Sequence, residues 1–258
     1  MERRTFVGAT VATLCTTAAG LAADPKSSSP EVYEMKVYTL KPTEQPVLDG
    51  YLSKAFIPAV KRLGLGPVGV FVEPPEKNVL RVTVLIVYPN ADLVATLPAR
   101  LAADDQYRQA AAEYLAAKAD DPVYLRIESS LLGAISGMPK LERPDTSKPR
   151  LLNLRVYESH NERAAAKKVE MFEKGELAIF RRDGLTPVFF ASALVGASMP
   201  NLTYLLVFPD EAGRKAAWDT FRADPEWLKL KAIPEYADKE IVSKITNRIL
   251  TPAPYSEI

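Results

Sequence analysis

The feature that most constrains this chain is that it repeats itself at a fixed distance. Arg62, Gly64, Leu65, Pro67 and Val68 recur as Arg182, Gly184, Leu185, Pro187 and Val188, an offset of 120 throughout. Val87-Tyr88-Pro89 recurs as Val207-Phe208-Pro209 at the same offset, and Ala103-Asp104 with Tyr107 recurs as Ala223-Asp224 with Trp227. Near the start, Lys36-Val37-Tyr38 matches Arg155-Val156-Tyr157 at 119, one residue of loop drift. Internal repetition on this scale decides the fold expectation for the whole chain. It divides the sequence into a first domain over 31–135, a linker over 136–149 with three prolines and a glycine, and a second domain over 150–258.

Both halves give one element string. In the first, Tyr33–Leu40 alternates and reads as a strand. Residues 43–63 place Leu48, Leu52, Ala55 and Ala59 on one helical stripe, with Pro58 expected to end or kink that helix. Strands follow at Val68–Glu73 and Leu80–Tyr88, then a helix over 90–118 and a last strand over Val123–Leu132. The second half repeats this as strand 151–158, helix 161–182, strands 187–194 and 202–208, helix 210–232 and strand 240–250. The order β-α-β-β-α-β is the ferredoxin-like split unit, an α+β class. Its sheet is covered by helices on one face and bare on the other. Two fused copies can cover each other, as two facing sheets or as a closed barrel.

Alternation assigns Tyr33, Met35 and Val37 to the helices and Glu34, Lys36 and Tyr38 to the bare face. The second half places Asn153, Arg155 and Tyr157 likewise. The fourth strands contribute Arg126 and Glu128, and their counterparts Lys244 and Arg248. The expectation is therefore a polar space between the sheets, holding either internal ion pairs or a small polar or anionic ligand.

Counting residues excludes several functions. One cysteine, Cys15, and one histidine, His160, rule out a Cys/His zinc cluster, an iron–sulfur centre and a disulfide framework. A formal charge of +1 gives no footprint for nucleic acid or an anionic membrane surface. No metal or other cofactor is expected, nor a stable membrane anchor. The N-terminus reads as an address. Arg3-Arg4-Thr5-Phe6-Val7, an apolar run to Ala19 and small residues to Ala23 describe an export signal over 1–23, similar to the twin-arginine type. A flexible leader over 24–30 follows, so the expected location is the periplasm or outside the cell. Without Glu2, Arg3 and Arg4 the remainder has 31 basic and 31 acidic residues.

Glu34-x-Lys36-x-Tyr38 and Asn153-x-Arg155-x-Tyr157 resemble the E-x-R-x-Y opening of NIPSNAP-family domains. Glu211-x-x-Arg214-x-Ala216-Ala217-Trp218-x-x-Phe221-x-x-Asp224-Pro225-Glu226-Trp227 is similar to that family's second-helix signature. Lys36 stands in place of Arg, Asn153 in place of Glu, and Asp105 where the second copy has Pro225. The resemblance implies a dimeric α/β-barrel, here as a pseudo-dimer within one chain, and no settled activity for the family. Relatives with that barrel include cofactor-free quinol monooxygenases and haem-handling enzymes, an analogy of fold.

Three functions are weighed. The first is a binding module using Lys36, Arg155, Arg126, Lys244, Tyr38 and Tyr157. The second is an interaction protein that docks partners on its outer helices. The third is a cofactor-free enzyme with Tyr157, Glu34 or Glu128 as proton carriers. Monomer and homodimer both remain open. The bland roles are helix caps for Asp104, Asp224 and Asn161 or Ser159, packing for Tyr107, Trp218, Phe221 and Trp227, and a surface position for His160.

Overall fold

The computed structural model describes residues 29–258, so the expected export signal over 1–23 and most of the expected leader lie outside the described residues. The first half runs β1 (Val32–Leu40), α1 (Gln45–Tyr51), α2 (Ile57–Arg62), β2 (Val68–Val72) and β3 (Leu80–Tyr88). It continues with α3 (Asp92–Ala103), α4 (Asp105–Ala110), α5 (Ala112–Leu115) and β4 (Arg126–Ala134). The second half runs β5 (Leu151–Glu158), α6 (Glu162–Met171), α7 (Leu177–Arg182), β6 (Thr186–Val195) and β7 (Asn201–Phe208). Then come α8 (Glu211–Ala223), α9 (Pro225–Lys231), α10 (Asp238–Ile241) and β8 (Lys244–Pro252). Two tandem ferredoxin-like units thus join their sheets into one closed barrel, in the order β1-β3-β2-β8-β5-β7-β6-β4. The joins are short: β4 meets β6 over Leu131–Ala134, and β2 meets β8 through Phe71 and Val72.

Local chemistry explains the helix breaks. Residues 90–118 form three pieces rather than one helix, because Asp104 is extended and its carboxylate accepts the Tyr107 N–H, starting α4 afresh. Asp224 does the same for α9, accepting from Glu226 and Trp227. Arg62 and Arg182, one repeat apart, hold these two caps as ion pairs. Asn161 caps α6. Between α1 and α2, Leu52–Phe56 forms a wide π turn, and Phe172–Glu176 does so between α6 and α7. Pro58 does not end its helix, which continues to Arg62. It sits just past the wide turn, second in a new helical segment, where a backbone donor is not needed.

Three apolar cores follow from this layering. One lies under the helices of each half, the first around Leu48, Leu52, Val82 and Ile86, the second around Phe172, Phe180, Phe190 and Phe221. The third is the barrel interior, packed by Tyr33, Phe71, Leu85, Leu152, Leu154, Phe189, Leu205, Leu250 and Ile258. The void left at its centre is about 10 Å³, room for one water at most. The expectation of a polar space between the sheets is therefore corrected. Tyr33 and Met35 point into the barrel, while Glu34, Lys36 and Tyr38 point under the helices, the reverse of the sequence-based assignment. Both faces of β1 carry large apolar or aromatic residues, so the pattern fixes the alternation but not which side is which.

Candidate functional site

Opposite residues in an antiparallel pair share a face. Lys36 lies opposite Ser129, whereas Glu128 lies opposite Val37 and Arg126 opposite Thr39. Arg248 lies opposite Leu154, and Lys244 opposite Glu158. The ten candidate residues are thereby split. Glu34, Lys36, Tyr38, Asn153, Arg155 and Tyr157 face the helices, while Arg126, Glu128, Lys244 and Arg248 lie on the barrel side of β4 and β8, outside the apolar centre. There Arg248 pairs with Glu73 at 3.1 Å and Lys244 with Glu158 at 3.2 Å.

Under the first helices the charges are matched. The Glu34 carboxylate receives the Tyr88 hydroxyl at 3.0 Å and the Ser129 hydroxyl at 3.0 Å, and Lys36 approaches it to 3.2 Å. Tyr38 joins a cluster of phenols in which Tyr51 stacks on Tyr114 at 3.8 Å and bonds Tyr107 at 3.1 Å. Burial pushes the Tyr38 hydroxyl up to about 12. A hollow of about 220 Å³ opens over Tyr51 and Tyr114, with Lys54 and Glu113 among its lining residues.

Under the second helices the same positions carry a different balance. Asn153, fully buried, stands where Glu34 stood. Its amide donates to Asn247 at 2.6 Å and to the Arg248 carbonyl at 3.2 Å, and its oxygen accepts the Trp218 indole N–H at 3.3 Å. Arg155 lays its guanidinium over the Trp218 ring at 4.5 Å and near the Tyr157 ring at 5.4 Å. Among the described residues it forms no salt bridge, and its Nε is buried with no acceptor. Tyr204 donates to the Tyr157 hydroxyl at 3.0 Å. Deeper still, Lys168 and Glu176 form an ion pair at 2.9 Å, each 2% exposed. The Lys168 ammonium rests 4.6 Å from the Phe172 ring and 5.2 Å from the Tyr157 ring. Burial pushes the Glu176 carboxyl up, an effect opposed chiefly by Lys168 and, more weakly, by Arg155. Lys168 thus takes up the one buried carboxylate here, which Arg155 influences only weakly from farther off, with Asp238 nearby but exposed.

Sequence reasoning named Asn153, Arg155 and Tyr157 but missed Lys168, Glu176 and Tyr204. A signal existed for two of them. One repeat earlier, the Lys168 position holds Leu48 and the Glu176 position holds Phe56, so a charged pair replaces an apolar one inside a core. His160 lines a surface hollow of about 530 Å³ with Asn161, Arg163, Lys167 and Glu235. Lys167 there is already held by Glu170 at 3.0 Å and Glu235 at 3.1 Å. Among the described residues no cluster suits a metal ion, and no helix is long and apolar enough to cross a membrane.

The family model that fits the chain is NIPSNAP, over residues 152–257, the segment that contains this network. Over that segment the chain is similar to NIPSNAP domains. Beyond the NIPSNAP segment, likeness is one of fold. A candidate monooxygenase from Fusobacterium nucleatum superposes with a TM-score of 0.59 at 7% identity, over 88% of this chain and 94% of that one. A second, from Lactobacillus acidophilus, gives 0.57 at 11% identity, over 89% and 98%. An uncharacterised NIPSNAP-like domain protein from Burkholderia xenovorans is 20% identical over 42% of this chain and 88% of its own, with a TM-score of 0.38. No curated protein matches the sequence.

Proposed function

We propose that this chain is an exported binding protein that takes one small anion at Arg155, beneath the helices of its NIPSNAP domain. The observation that carries this reading is a half-buried guanidinium that has lost its acid. In the first half, Glu34 neutralises Lys36; in the second, Asn153 occupies the acid's place and Arg155 has no counter-ion among the described residues. Partial burial takes water from this cation, and a bound anion would replace that water. The Trp218 stack fixes the plane of the guanidinium, and its fork of N–H donors suits a carboxylate or phosphate in two-point contact. Asn247, exposed and opposite Arg155 on β8, adds an amide at the same place. Export is supported by the Arg3-Arg4-Thr5-Phe6-Val7 segment.

The test is thermal melting against small mono- and dicarboxylates and inorganic phosphate. An anion that raises the melting temperature of the wild-type protein should leave Arg155→Ala unmoved, while that variant keeps its circular dichroism spectrum. Asn153→Glu, which restores the acid, should also abolish the shift. No shift in the wild type with any anion, or a shift retained by Arg155→Ala, removes the reading.

A further inference from the structure

Strand β4 pairs with β6 only over Leu131–Ala134, so residues 126–130 are bonded on one side alone, to β1. Further along, the Ala134 N–H donates to the Glu31 carbonyl just before β1, and the Ile135 N–H donates to the Phe190 carbonyl of β6. Alternation then turns the backbone of Arg126, Glu128 and Ser130 toward β1 and that of Ile127 and Ser129 away from it, toward solvent. Such a row of unpaired donors and acceptors is a template for another strand. Apolar side chains stand beside it. Leu125 is 56% exposed and Ile127 36%, and at the β6 end Val195 is 63% exposed and Leu194 49%. Leu194 lies against Gly133 and Gly196 against Ser130, so this tip borders the open edge.

We infer that the open edge of β4 docks a second copy of this chain, antiparallel, about a two-fold axis through Ile127. Charge selects both occupant and register. With the axis at Ile127, Arg126 faces the partner's Glu128 and Glu128 faces the partner's Arg126, while the two Ile127 side chains meet. Moving the axis by one residue either way sets Arg126 against the partner's Arg126 or Glu128 against the partner's Glu128, and like charges directly opposite destabilise a pair. The equivalent edge of β8, paired only with β5 over 244–250, is excluded by the same reasoning. It carries Lys244 and Arg248 with no acid between them, and Ile245 is the single large exposed apolar residue on it among the described residues. A two-fold contact uses one patch on both copies and closes after two. The inference is independent of the anion site.

The experiment is light scattering on the purified chain during size-exclusion chromatography, at concentrations up to about 100 µM, where a small edge contact still associates. The wild-type protein should approach twice the chain mass. Glu128→Arg places two like pairs across the axis and should raise the dissociation constant at least about tenfold. The double variant Arg126→Glu/Glu128→Arg restores opposite charges and should restore the dimer. Amide hydrogen exchange on the wild-type protein needs no variant: protection at Ile127 should rise with protein concentration, and protection at Glu128, already bonded to β1, should not. A monomer throughout the range, or a dimer indifferent to Glu128→Arg, overturns the inference. So does an exchange pattern at Ile127 that ignores concentration.

Discussion

One residue separates the two halves chemically. Glu34 and Asn153 occupy equivalent places, and the neighbouring cation is paired beside Glu34 but forms no salt bridge beside Asn153 among the described residues. A second difference is the Lys168–Glu176 pair, set where the first half uses Leu48 and Phe56. A buried ion pair is weak evidence of stability, but breaking one is costly, because the survivor is an unpaired buried charge. Lys168→Met should therefore destabilise by about 3–5 kcal/mol in urea unfolding. The double variant Lys168→Leu/Glu176→Phe, borrowing the first half's residues, should recover most of that loss. Recovery no better than the single variant would mean the pair contributes more than its mutual compensation.

Glu170 offers a pH test at the same scale. Lys174 first, then Lys167 and the Tyr236 hydroxyl, hold its carboxyl down to about 2. A depressed carboxyl stabilises the fold fully above its ordinary value of 4.5 and loses that contribution as pH falls toward 2. The stability gap between wild type and Glu170→Gln should be constant above pH 5 and close on acidification. A gap that persists unchanged at pH 2, in thermal melts of the two proteins side by side, would rule this out.

At the scale of elements, boundaries were legible where side-chain chemistry marks them. Asp104 and Asp224 read as caps from the sequence and act as caps, each also held by an arginine, Arg62 at the end of α2 and Arg182 at the end of α7. Asp224→Ala should destabilise through the lost cap, read as a lower urea midpoint with an unchanged slope. The paired π turns at Leu52–Phe56 and Phe172–Glu176 were not legible. They share a position in the repeat but only one residue, Lys54 and Lys174, since Leu-Ser-Lys-Ala-Phe faces Phe-Glu-Lys-Gly-Glu. Pro58 cannot be their cause, because Ala178 takes its place in the second copy. Which face of β1 and β5 looks inward was also hidden. Tyr33 and Tyr38 are both aromatic and both buried, so hydrophobicity could not rank the sides. The ligand candidates on these strands were found by residue type and misplaced by one sheet face.

At the scale of the molecule, the repeat was enough to expect a fused barrel, because two bare sheets in one chain need cover and can cover each other. The interior departs from expectation in content: an apolar core replaces a wet cavity. Leu205→Ala should therefore behave as a core truncation, costing about 2–5 kcal/mol. A much smaller loss would show that the barrel centre is looser than its packing implies.

Fusion of the halves has an evolutionary corollary. A barrel assembled from two identical chains must carry every residue twice, so an acid removed on one side vanishes on the other as well. Here each copy can differ alone: one carries Glu34 where its twin carries Asn153. The stoichiometry this allows is a single anion per polypeptide, with the unaltered copy free to serve as scaffold.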